Sequence, residues 1–120
     1  MKKKNESSAL YGVIGLGRFG TALVKTLAGA GKEVIAIDKC EEKVREVRGD
    51  TDYAFTVDNL SEAALKETGI QNCDTVTVCI GEQVDMSILT TMLVIKLGVP
   101  NVIAKATSEV HGEVLKRMGA

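Results

Sequence analysis

The glycines of Gly15-Leu16-Gly17-Arg18-Phe19-Gly20 are spaced as a turn that cradles phosphates requires. Gly15 permits a tight turn, Gly17 lets a diphosphate approach bare backbone, and Gly20 lets the following helix pack closely. The first turn of that helix would offer unpaired N–H groups and a partial positive charge to an anion. Asp38 stands eighteen residues beyond Gly20. A carboxylate there can accept hydrogen bonds from both hydroxyls of a ribose, and it repels a 2′-phosphate. Together these residues select an adenosine ribose with a free 2′-OH, as in NAD(H), ATP/ADP or AMP, and disfavour NADP. As plain architecture, the same residues would be a glycine turn without ligand and a helix cap. Arg18 occupies a variable position of the motif. Its guanidinium could fork two phosphate oxygens, which favours a ligand with exposed terminal phosphates; otherwise it is a solvated surface arginine.

The surrounding elements give the glycine run its meaning, because glycines at these offsets also arise by chance in a chain with 12 of them. Residues 10–14 form an apolar run that leads into the turn. Helical spacing follows over 21–30, with the helix expected from about Phe19. A second apolar run, 33–37, ends at Asp38. Residues 41–47 read as a polar helix, 53–57 as a third strand, and 61–68 as a short helix capped by Ser61 and stopped by Gly69. Residues 75–80 read as a fourth strand, 84–97 as a long helix, 102–106 as a fifth strand, and a last helix begins at Ser108. Strands alternating with helices predict an α/β fold, a Rossmann-like doubly wound parallel sheet in a single domain. The near-continuous apolar strands fit burial on both faces. Residues 1–8 are expected to be a basic tail, with Lys2, Lys3 and Lys4 solubilising rather than binding. The chain stops where a sixth strand would begin, so the piece is expected to be cut from a longer protein.

Composition narrows the function classes. A length of 120 residues suits one domain. Net charge is −1 and aromatics make up 3%, which argues against a nucleic-acid partner. Three cysteines, Cys40, Cys73 and Cys79, are too few for a disulfide framework or zinc site; they read as reduced thiols in a cytoplasmic protein. No apolar run reaches the roughly 18 residues of a membrane span, so direct membrane insertion is not expected.

Catalytic groups are sparse. Hydride transfer needs an acid–base partner for the substrate, and the chain has one histidine, His111, and no Tyr-x-x-x-Lys pair. His111 opens the last helix, either as a helix-associated histidine or at the carboxyl edge of the sheet, where doubly wound folds bind ligands. Asp58, Gly81 and Lys105 also fall at carboxyl ends of strands. A binding module is therefore favoured over an enzyme. The alternative is the cofactor-binding half of an NAD-dependent dehydrogenase. The helix over 84–97 carries more apolar residues than one sheet-facing stripe uses, which points to a homo-oligomer.

Five segments in order, Gly15–Gly20, Val34-Ile35-Ala36-Ile37-Asp38, Val78-Cys79-Ile80-Gly81, Ala104-Lys105-Ala106 and Val114-Leu115-Lys116-Arg117-Met118-Gly119-Ala120, together resemble the N-terminal nucleotide-binding (RCK, or KTN) domain of the Trk/Ktr potassium-uptake regulators. Arg18-Phe19 looks most like the Ktr branch. The resemblance implies a cytosolic gating subunit, dimers assembling into an octameric ring, and a membrane potassium-transporter partner. It also implies activity set by ATP against ADP, or NADH against NAD. By position it implies that Arg18 contacts phosphates and that Asp38, Lys39 and Cys40 hold the ribose. Asp58 and Asn59 would flank adenine. Ile80, Gly81 and Glu82 would line the phosphate or nicotinamide side, with Lys105, Ala106 and Thr107 close by and His111 approaching the phosphates.

Overall fold

The computed structural model describes residues 9–120, so the basic tail lies outside the described residues. In chain order the elements are β1 (Leu10–Ile14), α1 (Arg18–Gly29), β2 (Glu33–Asp38), α2 (Glu41–Val47), β3 (Tyr53–Thr56), α3 (Glu62–Thr68), a 3-10 turn (Ile70–Asn72), β4 (Thr75–Val78), α4 (Val84–Lys96), β5 (Asn101–Ala104) and α5 (Glu109–Met118). The five strands form one parallel sheet in the order β3-β2-β1-β4-β5. Register is continuous through the centre, where Ile14 pairs with Ile37 on one side and Val78 on the other. The expected α/β doubly wound sheet is the architecture found.

Strand β2 explains the two layers. Its side chains alternate across the sheet, as a period of two demands. Val34 and Ala36 enter a core with Val13, Leu16, Val24 and Val44, under α1 and α2. Ile35 and Ile37 enter a second core with Leu65, Ile70, Val76, Val78 and Val94, under α3 and α4. All four are buried, hence the unbroken apolar run in the sequence.

Local signals placed the helix ends. Ser61 Oγ accepts from the Ala64 amide at 3.2 Å, and Gly69 closes α3 in the left-handed conformation at φ 82°. The 3-10 turn after Gly69 has no counterpart in the periodicity. Strands β4 and β5 stop earlier than their apolar runs. At that point the chain leaves the sheet, although Cys79 N still donates to Ile14 O and Lys105 N to Val78 O.

Helix α4 carries apolar residues beyond those on its sheet-facing side, the surplus expected from the sequence. The side it buries is Ser87, Thr90, Thr91 and Val94, mostly small hydroxyl residues, while Leu89 and Met92 remain 40% and 49% exposed. Thr90 and Thr91 Oγ1 find no partner among the described residues. The apolar excess thus lies outward rather than along the sheet.

Candidate functional site

Strands β1 and β4 are neighbours in the sheet, yet the helices that follow them cover opposite faces. Their carboxyl ends therefore part and leave a crevice at the switch in strand order, where open α/β sheets take ligands. The crevice measures about 1140 Å³.

The glycine turn forms its floor, and each glycine is held there for a different reason. Gly15 has φ 102°, and a Cβ would lie 2.9 Å from the backbone carbon of Cys79. At Gly20 a Cβ would lie 1.8 Å from the Gly15 carbonyl oxygen, so α1 can approach β1 only without a side chain there. Gly17 is the opposite case: no atom lies within 4 Å of where its Cβ would be. It is the N-cap of α1, makes no side-chain cap, and is followed by a first turn with no acidic residue. The first N–H groups of α1 thus face open space with their partial positive charge uncompensated.

Asp38, at the end of β2, is tied to this turn. Its Oδ2 accepts from the Leu16 amide at 2.6 Å, and its Oδ1 accepts from the Cys40 amide at 2.8 Å. The Gly15 amide donates to Ile37 O at 2.8 Å beside it. Each carboxylate oxygen has capacity for a further bond, so the group both positions the turn and can receive a diol. The open Gly17 face and this carboxylate fit a diphosphate beside a ribose.

Opposite the turn, Lys105 reaches from the end of β5 across Gly81. Its Nζ lies 5.7 Å from the Phe19 ring centroid, a cation–π distance, and 3.6 Å from the position a Gly81 Cβ would take. Cys79 sits below. Burial pushes its thiol up to about 11, against the pull of the Lys105 charge. It is an inert thiol, packed as a small hydrophobe.

Gly15, Gly17, Arg18, Phe19, Asp38, Lys39, Asp58, Asn59, Ile80, Gly81, Glu82 and Lys105 line the one crevice. Gly20 and Cys40 stand behind it, the first as a packing contact and the second as an amide donor to Asp38. Ala106, Thr107 and His111 are outside the lining. His111 is 2% exposed, with Nε2 3.1 Å from Ser87 Oγ and Nδ1 accepting from the Thr107 amide at 3.0 Å. It joins α4 to the loop before α5 instead of presenting a ring nitrogen to the crevice. Sequence reasoning missed Ala22 and Lys25, which line the crevice from α1, and Lys43 and Glu46 from α2. Helical spacing from Arg18 to Ala22 and Lys25 carried that signal in α1, and from Lys43 to Glu46 in α2. Lys25 is also paired with Asp50 at 2.9 Å. Among the described residues no group of His, Cys, Asp or Glu could hold a metal ion, and no helix is long and apolar enough to cross a membrane.

Comparison with known proteins gives consistent matches. The chain is 43% identical over 110 residues to Ktr system potassium uptake protein C of Bacillus subtilis, covering 92% of this chain and 50% of that protein. It is 40% identical, with the same coverage, to Ktr system potassium uptake protein A of that organism. The chain therefore spans about half the length of the curated relatives it matches. Among solved structures, the NAD(P)-binding domain of an exopolyphosphatase-related protein from Archaeoglobus fulgidus superposes with TM-score 0.79 at 24% identity, over 92% of this chain and 82% of that one. That likeness shows the fold. Residues 11–120 match the TrkA-N domain, and the chain belongs to the TrkA-N domain family.

Proposed function

We propose that this chain is the nucleotide-sensing domain of a Ktr-type potassium-uptake regulator and that its crevice binds ATP/ADP or NAD(H) without transforming it. The observation that carries this reading is the Asp38–Leu16 hydrogen bond beside the open Gly17 face. It supplies a diphosphate seat and a diol acceptor within one crevice. Arg18, exposed at the first position of α1, reads the terminal phosphates. Lys39 and Cys40 support the ribose, Asp58 and Asn59 border the base, and Ile80, Gly81, Glu82 and Lys105 close the phosphate side. NADP is disfavoured by the repulsion between its 2′-phosphate and Asp38.

A binding role suits a crevice whose buried thiol is inert and whose histidine is engaged elsewhere. The outward apolar stripe of α4 is the self-association surface of a homo-oligomer, as a dimer or a ring. The whole protein works in the cytoplasm through a membrane potassium-transporter subunit. Ligand control of such an assembly requires that a nucleotide favour one shape over another.

Thermal stabilisation by ATP, ADP, NAD, NADH and NADP tests the reading, because stabilisation grows as RT ln(1 + [L]/Kd). ATP, ADP and NAD(H) should raise Tm and NADP should not. No shift with any adenine nucleotide would defeat the proposal.

A further inference from the structure

We infer that His111 is a positioning residue that ties occupancy of the crevice to α4; this rests on the nucleotide reading above. The hydrogen bonds fix its tautomer. The Thr107 amide can only donate, and it meets Nδ1 at 3.0 Å, with Thr107 Oγ1 3.2 Å from the same atom. Nδ1 is therefore the bare nitrogen and Nε2 carries the proton, which it donates to Ser87 Oγ at 3.1 Å. Ser87 is fully buried in α4 and His111 is 2% exposed. Away from water the Ser87 bond cannot be exchanged for a solvent bond, so breaking it leaves a buried polar group unmet, while the Thr107 bond is part-buried. The loop before α5 and helix α4 thus move as one.

The other end of this loop lies at the crevice. Lys105, two residues before Thr107, rests its ammonium over Phe19 and above Gly81. Phe19 belongs to the first turn of α1, where the diphosphate sits in the reading above. A charge-assisted bond to a phosphate oxygen is stronger than the pull of an aromatic face at a half-exposed site. The arriving anion draws Lys105 off Phe19, and the backbone at 105–107 follows. His111, anchored to Thr107 by one nitrogen and to Ser87 by the other, hands that displacement to α4. The same helix carries Leu89 and Met92 on its outer side. The pairs Lys105–Phe19, Thr107–His111 and His111–Ser87, with the backbone from 105 to 107 between the first two, join the crevice to that helix.

Hydrogen exchange with saturating ADP tests it, in the wild type and in Ser87→Ala. That variant removes the Nε2 acceptor without touching the crevice. ADP should slow exchange at the glycine turn and in α4 of the wild type. In Ser87→Ala, ADP affinity by calorimetry and protection of the turn should persist while protection of α4 is lost. Protection of α4 that survives in Ser87→Ala, or that is missing in the wild type when the turn is protected, overturns the coupling and leaves the nucleotide site standing. An absence of protection everywhere, with no ADP binding, defeats the nucleotide reading and the coupling together. Lys105→Met provides a second route should Ser87→Ala fail to fold. At ADP concentrations that saturate it, the turn should be protected and α4 not; protection of both would overturn the coupling.

Discussion

Asp38 Oδ2 receives the Leu16 amide at 2.6 Å, joining the end of β2 to the middle of the glycine turn. The carboxylate that would grip a sugar is thus already shaping the surface on which the phosphates would rest. Asp38→Ala should act twice. Losing an acceptor for two amides should lower stability by about 1–3 kcal/mol, read by urea unfolding. Binding of ATP, ADP and NAD should all weaken, read by calorimetry. Unchanged affinity for all three would remove the ribose assignment.

The glycines separate packing from binding. Gly20→Ala drives a methyl to within 1.8 Å of the Gly15 carbonyl, and backbone on both sides cannot yield. Destabilisation should exceed the ~1–3 kcal/mol common for overpacked sites, and the variant should unfold at markedly lower urea. Gly17→Ala meets nothing within 4 Å. Its stability should stay within about 1 kcal/mol of wild type, by the helix preference of alanine over glycine, while nucleotide affinity falls. A well-bound nucleotide in Gly17→Ala would rule out close phosphate approach.

Arg18 distinguishes triphosphate from dinucleotide. Loss of a charge-assisted contact costs about 1.5–3 kcal/mol, so Arg18→Ala should weaken ATP by roughly tenfold or more and NAD by less. Equal losses would deny Arg18 a role at terminal phosphates.

Thiol chemistry should follow burial. Cys79, pushed up to about 11, should resist iodoacetamide at pH 8 in the folded protein, while half-exposed Cys40 reacts first, as peptide mapping would read. A thiol whose folded value is raised favours the folded state only while it stays protonated in both states. Between its ordinary value of 9.0 and about 11 the unfolded chain ionises and the folded chain does not, so this contribution is lost as pH rises. Cys79→Ala should flatten the fall in stability over that window. An unchanged slope would assign the fall to other groups.

The outer stripe of α4 predicts self-association. Met92→Lys places a charge on a side chain that is 49% exposed. It should leave the monomer folded and raise the dissociation constant in sedimentation equilibrium. Identical association in Met92→Lys would exclude this face.

Periodicity and turn chemistry determined most of the architecture. Alternation in β2, the Ser61 and Gly69 signals around α3 and the glycine spacing after β1 are local, and local rules govern them. Asp38 and Gly17 were legible as partners because their spacing is set by a single strand–helix–strand unit. Tertiary structure decided what local spacing cannot express. Which way α4 faces depends on how the sheet receives Ser87, Thr90 and Thr91. Whether His111 meets the crevice or Ser87 depends on two helices distant in sequence. Whether Lys105 reaches Phe19 depends on how β5 and α1 come to face one another across the crevice. Such side-chain orientations follow from packing between segments, and no pattern within one segment encodes them.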